Sequence, residues 1–373
     1  MKYWLKILLL SICTACLWIS CVDPYEPPVI AEANNFLVIE GVLRSGEPTT
    51  IKLTRTARLA DTARITPERS ADVRIECESC GLDLPLQETA DGVYVLPPLD
   101  LNPNDRYRLH IKTSQNREYL SDYVEVKQAP PIDSLNWTLS SEGVQLYVTT
   151  HDPQNNTRYY RWEFEETWEF RSLYQSTVDY VDGQIIDRVP PTPIRCWQNN
   201  NSTSLLLGSS AKLGNDIIYQ QPLTVVPHAS WKLSTKYSIL VKQFALSKEA
   251  FEYYQQMKKN SEQMGSFFDP QPVELGGNIY SLDNANEPVI GFFSAGQVQE
   301  KRIYIRADEV QPWGYRLWCD LIEVTPDSFN YYFGQSGVEP IYQDLSGVVF
   351  GLDNPECYDC STKARPVQPD FWE

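Results

Sequence analysis

The run Phe36-Leu-Val-Ile-Glu-Gly-Val-Leu43 opens the part of the chain that decides the fold. Here and in the runs that follow, apolar residues mostly alternate with polar ones, and Gly, Pro, Asn or Asp separates one run from the next. The further runs are 49–56, 71–77, 92–96, 107–113 and 119–126. Alternation with a period of two puts one face of a strand on a core and the other in water. Residues 36–128 are therefore predicted to form an antiparallel β-sandwich, similar in architecture to transthyretin-like or immunoglobulin-like modules.

A second β-rich region is predicted beyond the pair Pro130–Pro131, because adjacent prolines break both strand and helix. One helix is predicted near 248–264, since Ser247 suits an N-cap and apolar residues recur at steps of three and four. We therefore predict a mainly β protein whose C-terminal domain, 129–373, carries one helix. The strand patterns of that domain lie at 144–150, 159–170, 237–244, 278–280, 289–295 and 302–306.

The N-terminal residues predict export and lipidation. Two lysines precede a short apolar run, 7–19, which is shorter than the roughly 20 residues that a membrane-spanning helix needs. Ser20 then precedes Cys21, as in the lipobox of bacterial lipoproteins, where the cysteine is acylated and becomes the first mature residue. We predict a lipoprotein signal peptide at 1–20, lipidation at Cys21 and a proline-rich tether at 21–35. An ordinary signal peptide that is cut near the same place is the alternative.

The charge limits the partners that the chain can have. Without residues 1–20 it keeps 30 basic and 49 acidic residues, a formal charge of −19. An acidic excess of this size disfavours nucleic acid and anionic lipid and favours a soluble surface. No nucleic-acid partner is therefore predicted, and no cofactor is predicted either, since the sequence has no glycine-rich phosphate loop. The predicted contact with a membrane is made through the lipid anchor.

The cysteines predict structural disulfides, because six remain after Cys21 and an even number is typical of an exported protein. The preferred pairs are Cys77–Cys80, Cys357–Cys360 and Cys196–Cys319, although sequence alone does not choose among the pairings. Two Cys-x-x-Cys pairs could also bind zinc, but 276 residues lie between Cys80 and Cys357, far more than the roughly 15–20 residues between the pairs of a zinc ribbon. Neither pair starts a helix, as a thioredoxin-like redox site requires. No metal site is predicted.

Catalytic motifs are absent from the sequence. It holds three histidines, His110, His151 and His228, and none belongs to a zinc-protease, nucleophile-elbow or cysteine–histidine pattern. His151 precedes Asp-Pro and is interpreted as a turn residue. We predict that the protein is not an enzyme. The alternative is a hydrolase in which His151 or a pair of carboxylates converges in a pocket.

Aromatic residues provide the candidate ligand site that the sequence suggests. Rings can line a cleft that binds a saccharide or a peptide. The alternative is structural, because an aromatic stripe with a period of two is also typical of a core. The candidate residues are Tyr160, Trp162, Trp168 and Trp197.

Several short strings occur in the same order as in one known family. They resemble a Bacteroidota outer-membrane lipoprotein family of unknown function, over essentially all of 22–373. Members of that family are commonly encoded beside TonB-dependent, SusC-like receptors. The strings are Val38-Ile-Glu-Gly-Val-Leu, Thr49-Thr-Ile-Lys-Leu-Thr-Arg-Thr, Arg195-Cys-Trp, Phe268-Asp-Pro-Gln-Pro, Gly277-Asn-Ile, Gly291-Phe-Phe-Ser-Ala, Cys357-Tyr-Asp-Cys and Pro369-Asp-Phe-Trp.

The resemblance implies a location and a neighbourhood rather than a chemistry. It implies an outer-membrane lipoprotein, on the periplasmic or the cell-surface face, that works with a TonB-dependent β-barrel receptor in substrate capture or receptor binding. The alternative is a surface adhesion or envelope-structural lipoprotein that uses its β modules as spacers. The family brings no catalytic residues to transfer to this chain.

Overall fold

The protein is described by a computed structural model that covers residues 35–56, 66–262 and 276–373. The predicted signal peptide, Cys21 and residues 21–34 of the tether lie outside these described residues. The strands of the first third, in chain order, are β1 Leu37–Gly41, β2 Leu43–Arg44, β3 Thr49–Arg55, β4 Thr66–Pro67, β5 Asp72–Cys77, β6 Asp83–Pro85, β7 Gln87–Ala90, β8 Val93–Leu96, β9 Arg106–Lys112, β10 Glu118–Ser121 and β11 Val124–Gln128.

The rest of the described chain adds fifteen strands, two α-helices and five short 3-10 helices. The strands are β12 Ile132–Leu139, β13 Gly143–His151, β14 Tyr159–Arg171, β15 Val178–Val181, β16 Gln184–Asp187, β17 Arg195–Asn201, β18 Leu206–Ser209, β19 Ile217–Pro227, β20 Lys236–Ala245, β21 Ile279–Ser281, β22 Ala295–Gln297, β23 Gln299–Arg306, β24 Ile322–Val324, β25 Glu339–Gln343 and β26 Val349–Leu352. The helices are α1 Lys248–Glu262 and α2 Phe329–Tyr332, with 3-10 turns at Trp231–Leu233, Ala307–Val310, Pro326–Ser328, Pro355–Cys357 and Cys360–Thr362.

The first unit is a two-sheet sandwich, and the predicted mainly β fold is confirmed. One sheet has the order β1-β3-β8-β7, with β4 beside β3. The other has the order β2-β22-β11-β9-β10-β21, with β5 beside β9 and β6 beside β5. In β5, Val73 and Ile75 are fully buried, and the residues that alternate with them are partly or fully exposed. Each such aliphatic side chain contributes about 1.5–3 kcal/mol by leaving water.

A segment from beyond residue 129 completes this first core. Strands β21 and β22 join its larger sheet, and the buried side chains of Ile279 and Phe293 belong to its core. The segment passes close to its own backbone at Gly277, where a Cβ atom would lie 1.9 Å from the carbonyl oxygen of Gly291. Asn278 fixes the crossing, because its side-chain amide both donates to and accepts from the backbone of Phe293, at 2.9 and 2.8 Å. The sequence-based division at 128/129 does not include this return.

The second unit packs the sheet β12-β13-β19 against the sheet β17-β14-β20-β23, with β18 beside β14. The 13-residue strand β14 pairs with β20, β17 and β18. Its alternating sequence directs Tyr160, Trp162 and Phe164 into this second core. The inner faces of the two sheets pack against each other, and the large aromatic side chains of β14 supply much of the apolar area between them.

Helix α1 corresponds to the helix predicted near 248–264. The Ser247 hydroxyl accepts a hydrogen bond from the backbone N–H of Ala250 at 3.1 Å, which caps the first turn as expected. Ala250, Tyr253 and Tyr254 pack with Phe244 and neighbouring residues in a separate apolar cluster. Gly265, a residue type that favours the end of a helix, follows the predicted range and lies outside the described residues. The described part of the chain contains no helix that is both long and apolar enough to cross a membrane.

Disulfides are confirmed, but two of the preferred pairings are wrong. Cys77 is joined to Cys80 as predicted, whereas Cys196 is joined to Cys360 and Cys319 to Cys357. Residues 357 and 360 belong to two successive 3-10 turns, which send their side chains to different places. Cys357 packs in a cluster beside the small sheet β24-β26-β25, and Cys360 packs against Cys196 in the cluster next to the second core.

Candidate functional site

The predicted aromatic residues of β14 lie inside the second core. The rings of Tyr160 and Trp162 are stacked at a centroid distance of 5.6 Å and are fully buried. Their polar atoms are used within the protein, because the Tyr160 hydroxyl donates to Asp216 and the Trp162 indole N–H donates to Gln243 at 2.8 Å. Burial and the Asp216 carboxylate together raise the pKa of Tyr160 far above its ordinary value. These contacts give both rings a structural role.

Trp168 and Trp197 are also enclosed by other side chains. The ring of Trp168 meets Trp231 edge-on at 5.4 Å, and the Lys232 ammonium lies 4.8 Å from its centroid. Trp197 meets Trp372 at 6.5 Å, so the C-terminal residues cover it. The structure therefore does not bring the four predicted residues together around one open cleft.

The opposite face of β14 borders a small cavity of about 340 Å³. Its charged residues form ion pairs with each other: Arg161 with Glu163 at 2.6 Å, and Lys242 with Glu165. The Arg161 guanidinium also lies over the ring of Phe244 at 4.4 Å. The cavity is thus lined by charged side chains that neutralise each other, and it lies next to the predicted aromatic site.

The three histidines are spread over the molecule. His110 contacts Glu76 at 2.8 Å on the first unit, and His151 contacts Asp133 at 2.8 Å on the second. The hydrogen bond and the charge of Asp133 raise the pKa of His151, whose side chain is exposed. His228 packs against Trp313. His151 therefore lies in a surface ion pair at the end of its strand.

An open cavity with a volume of about 1380 Å³ lies between the two units. Strand β11 and the start of β22 form its wall on the first unit. The loop after β13, Tyr159 and the first turns of α1 form its wall on the second. We call this space the interdomain cleft. Its volume exceeds the roughly 300–1,000 Å³ of ordinary small-molecule sites, so an oligomeric ligand can enter it.

Most charged side chains of the interdomain cleft already have partners. Lys127 contacts Glu125 at 2.7 Å, and Lys248 contacts Glu252 at 3.6 Å along the helix. Asp122 is exposed, and its carboxylate makes no ion pair or hydrogen bond within the described residues.

The remaining charges at the cleft are held by backbone groups or by other side chains of the same unit. Arg106 is paired with Glu78 at 2.6 Å, and Arg158 donates to a backbone carbonyl at 3.4 Å. Asp152 accepts three backbone N–H groups at 2.8–2.9 Å, which lower its pKa against the opposing effect of burial. The Glu249 backbone N–H and the Ser247 hydroxyl similarly lower the pKa of the Glu249 carboxyl.

Two hydroxyl groups in the cleft wall have no hydrogen-bond partner within the described structure. They belong to Tyr253, on α1, and Ser294, just before β22. The whole Tyr253 side chain is buried, and burial raises its pKa to about 12, although the nearby N–H of Gly291 acts in the opposite direction. A buried hydroxyl without a partner costs about 1–3 kcal/mol. Both oxygens are themselves buried, so they lie beneath the surface of the cleft wall and are not exposed to its open space.

Aromatic rings border the same wall. Phe292 lies 5.5 Å from the ring of Tyr253, and Tyr159 lies 5.0 Å from Phe251. Tyr123 carries the Arg108 guanidinium over its ring at 4.6 Å. Tyr123, Tyr159 and Phe292 all line the interdomain cleft and are only partly buried. Unlike Tyr160 and Trp162, they retain accessible surface for a ligand.

Sequence reasoning did not find this cleft. Its walls come from segments near residues 106, 122–131, 152–159, 245–256 and 276–295, which only the return of the chain to the first core brings together. Two local signals mark it in retrospect. The Ser247 cap directs the start of α1 towards the cleft, and the Gly277-Asn278 crossing places Phe292 and Ser294 opposite it.

These features describe a protein built from two β-sandwich units with an open cleft between them. The chain belongs to the family described as domain of unknown function (DUF4249), whose model matches residues 22–302. The matched range contains all the residues that line the interdomain cleft, from Arg106 to Ala295.

Other comparisons add little to this assignment. The search of curated proteins gives no match. Among solved structures, a matching one is the crystal structure of chicken CNTN1 FN1-FN3 domains, at 12% sequence identity and a TM-score of 0.19. The match covers 57% of this chain and 63% of that chain, so this chain spans less than two thirds of it. A superposition this loose carries no argument about fold or function.

Proposed function

We propose that the mature chain is a non-catalytic outer-membrane lipoprotein that captures a substrate for a TonB-dependent uptake system. The observation that carries the proposal is the interdomain cleft, with about 1380 Å³ of open space, partly exposed rings and the side-chain amides of Gln128 and Gln256 in its lining. Such a combination of apolar surface and a few polar groups is what ligand sites use for affinity and orientation. Capture at this cleft is the proposed contribution of the protein to uptake.

The anchor is the second part of the proposal. Acylation of Cys21 would hold the protein on the membrane, since each buried CH₂ of an acyl chain contributes about 0.8 kcal/mol. The tether, 21–35, would separate the folded units from the lipid. The mature charge of −19 favours a body that stays off an anionic lipid surface. Such a body, on the periplasmic or the cell-surface face, would have its cleft free to meet a receptor or a substrate.

A non-catalytic role is supported by the way the cleft is lined. Apart from Asp122, its charged side chains are paired with each other, with backbone groups or with other side chains of the same unit, as for Lys127 with Glu125. Groups that are neutralised in this way bind and orient a ligand more readily than they transfer protons. The proposal therefore assigns recognition, rather than a reaction, to the cleft.

Affinity capture from intact membranes tests the partnership. A C-terminal tag on the acylated protein would be used to recover its neighbours after mild cross-linking, with a Cys21→Ser variant as the non-acylated control. We expect a TonB-dependent β-barrel receptor with the acylated form and its loss with the control. Recovery of no barrel protein would refute the partnership. The adhesion or envelope alternative instead expects that deletion leaves uptake normal and impairs attachment or envelope integrity.

A further inference from the structure

We infer that the open edge of strand β17 pairs with the same edge of a second copy of this chain, so that two copies form a symmetric dimer. This pairing goes beyond the proposed capture function and does not depend on it. Three features of the edge support it: backbone groups without partners, the lack of any protection against pairing, and the absence of charge along the strand.

The backbone groups of β17 show that its outer edge is available. The strand ends its sheet and pairs with β14 along its inner edge. On the outer edge, the N–H of Trp197 donates to the carbonyl of Arg365 at 2.8 Å, and its carbonyl accepts the Arg365 N–H at 3.0 Å. Because this direction alternates along a strand, the main-chain groups of Asn199 and Asn201 point to the same outer edge. Both residues are exposed, and no described residue bonds to their main chain at that edge.

This edge lacks the features that usually prevent strands from pairing with another chain, namely proline, bulges and charged side chains. The three other strands that end the sheets of the second unit have such features. Pro222 lies within β19, whose pairing shifts register twice, and half of the residues of β23 are charged. On β12, Lys301 donates to the backbone carbonyls of Ile132 and Asp133 at 3.1 and 2.7 Å. In contrast, Gln198–Asn201 contains neither proline nor charge and keeps an unbroken register with β14.

The charge distribution favours a contact at this edge. With a formal charge of −19, two mature copies repel each other, so a contact between them must avoid opposing acidic groups. Residues 196–211 contain no charged side chain. The acidic residues of β14 next to the edge are already neutralised, since the buried Glu166 is paired with Lys232 at 2.6 Å and Glu165 is paired with Lys242.

A second copy presents the backbone pattern that this edge requires. When a twofold axis passes between Asn200 and the same residue of the second copy, Asn199 of each copy lies opposite Asn201 of the other. Each of these two pairs can exchange two backbone hydrogen bonds, as Trp197 and Arg365 do. The four-stranded sheets of the two copies would then form one continuous sheet. A contact over one short strand is smaller than the roughly 800 Å² per partner of a standard interface, so we expect a weak, reversible dimer.

Cysteine cross-linking in cells that make the full-length chain tests the pairing. Asn200→Cys places the two new thiols directly opposite each other, with Cβ atoms about 4.5–5.5 Å apart, so copper phenanthroline should produce a disulfide-linked dimer. The wild type, in which the described cysteines are all paired, gives the background. The matched controls are Asn199→Cys and Asn201→Cys. Each lies diagonal to its own copy, with Cβ atoms about 7–8 Å apart, and should cross-link several-fold less.

The register gives a further check. When the Asn199→Cys and Asn201→Cys chains are made in the same cell, they should cross-link to each other more than either does to itself, because these two positions are directly opposite. Absence of a dimer with Asn200→Cys, or equal dimer from all three positions, would overturn the inference. Cross-linking of Asn200→Cys to a different protein, instead of to its own copy, would refute the second copy as the occupant of the edge.

A proline substitution tests whether the pairing uses the backbone. Asn199→Pro removes an N–H that points to the outer edge and leaves the bonds between β17 and β14 in place. Added to Asn200→Cys, it should lower the yield of cross-linked dimer about tenfold, because each dimer loses two hydrogen bonds. Asn199→Ala keeps the N–H and should cross-link like its parent. An unchanged dimer yield with Asn199→Pro, in a protein that keeps its thermal midpoint, would refute pairing through the backbone.

Discussion

Replacing Cys196 and Cys360 together by alanine removes the disulfide that closes the longest of the three disulfide loops among the described residues, with a sequence separation of 164. Loop closure in the unfolded chain predicts a loss of about 5 kcal/mol from the free energy of unfolding. The same relation gives about 4 kcal/mol for Cys319–Cys357, whose separation is 38, and about 2 kcal/mol for Cys77–Cys80, whose separation is 3.

Nesting changes these magnitudes little. The Cys319–Cys357 loop lies inside the Cys196–Cys360 loop, so closing the inner bridge shortens the outer loop by roughly 38 residues. Because the closure entropy varies with the logarithm of loop length, the outer bridge loses only about 0.2 kcal/mol. The order of the three bridges is therefore the firm part of the prediction.

Guanidinium unfolding of the mature protein without reductant measures the three double-alanine variants. Alanine suits the sites of Cys196 and Cys360, since both are fully buried and a larger residue would add strain. We expect the midpoint to fall most for this pair and least for the Cys77–Cys80 pair. An equal or larger fall for Cys77–Cys80 would refute the loop-length reasoning.

A non-reducing digest with a protease that cleaves before aspartate checks the pairing itself. Cleavage before Asp359 separates Cys357 from Cys360, so the two bridges give different cross-linked peptides. We expect the Cys357 peptide to carry Cys319 and the Cys360 peptide to carry Cys196. A product in which the peptides of Cys357 and Cys360 are joined to each other would restore the pairing preferred from sequence and contradict the structure.

Three further outcomes follow from individual contacts. The imidazole of His151 should titrate above its ordinary pKa, and in Asp133→Asn the pKa should fall back towards that value. The imidazole proton shifts in NMR measure both titrations. An unchanged pKa in the variant would show that Asp133 is not the cause. Glu169→Gln should cost about 1–2 kcal/mol at neutral pH in urea unfolding, because the buried carboxylate binds the partly exposed Arg195 at 2.8 Å. The pKa of Glu169 is lowered in the folded state. The stability difference between the wild type and Glu169→Gln should therefore be present above the ordinary carboxyl pKa and vanish as the pH falls through the lowered pKa. A stability difference that does not depend on pH would contradict the ion pair. Gly277→Ala should cost about 2 kcal/mol or more in thermal unfolding, because its Cβ would meet a backbone oxygen at 1.9 Å, and a wild-type midpoint would show that the crossing relaxes freely.

Local sequence patterns were sufficient for the strands that carry a strong alternation. Runs such as 71–77 and 159–170 correspond closely to β5 and β14, because period-two burial is a local property of a half-buried strand. Strands with mixed or polar sequences were missed. The sequence Arg195–Asn201 has the polar composition of a loop, yet it forms β17 and pairs with β14. The long strand β14 provides backbone hydrogen-bond partners, so β17 forms although its own side chains do not favour a strand.

The candidate site shows the same limit. The aromatic residues of β14 alternate with polar ones, as a strand requires, but alternation does not show which face of the strand packs against another sheet. In the structure, a second sheet covers Tyr160 and Trp162. The cleft residues Tyr253 and Ser294 carry no motif, and their property of interest is a missing partner. A missing partner is a fact about surroundings, so no spacing in the sequence could reveal it.

By itself, the sequence determined the mainly β class, the place of α1 with its Ser247 cap, and the presence of disulfides. Each follows from periodicity, composition or a local cap, which act over a few residues. Only the tertiary structure decided the partners of Cys357 and Cys360, the return of Phe293 to the first core and the interdomain cleft that this return creates. These features depend on contacts between residues more than a hundred positions apart in the sequence, or on the direction in which a turn points a side chain. Both are determined by the packing of the whole chain rather than by a local pattern.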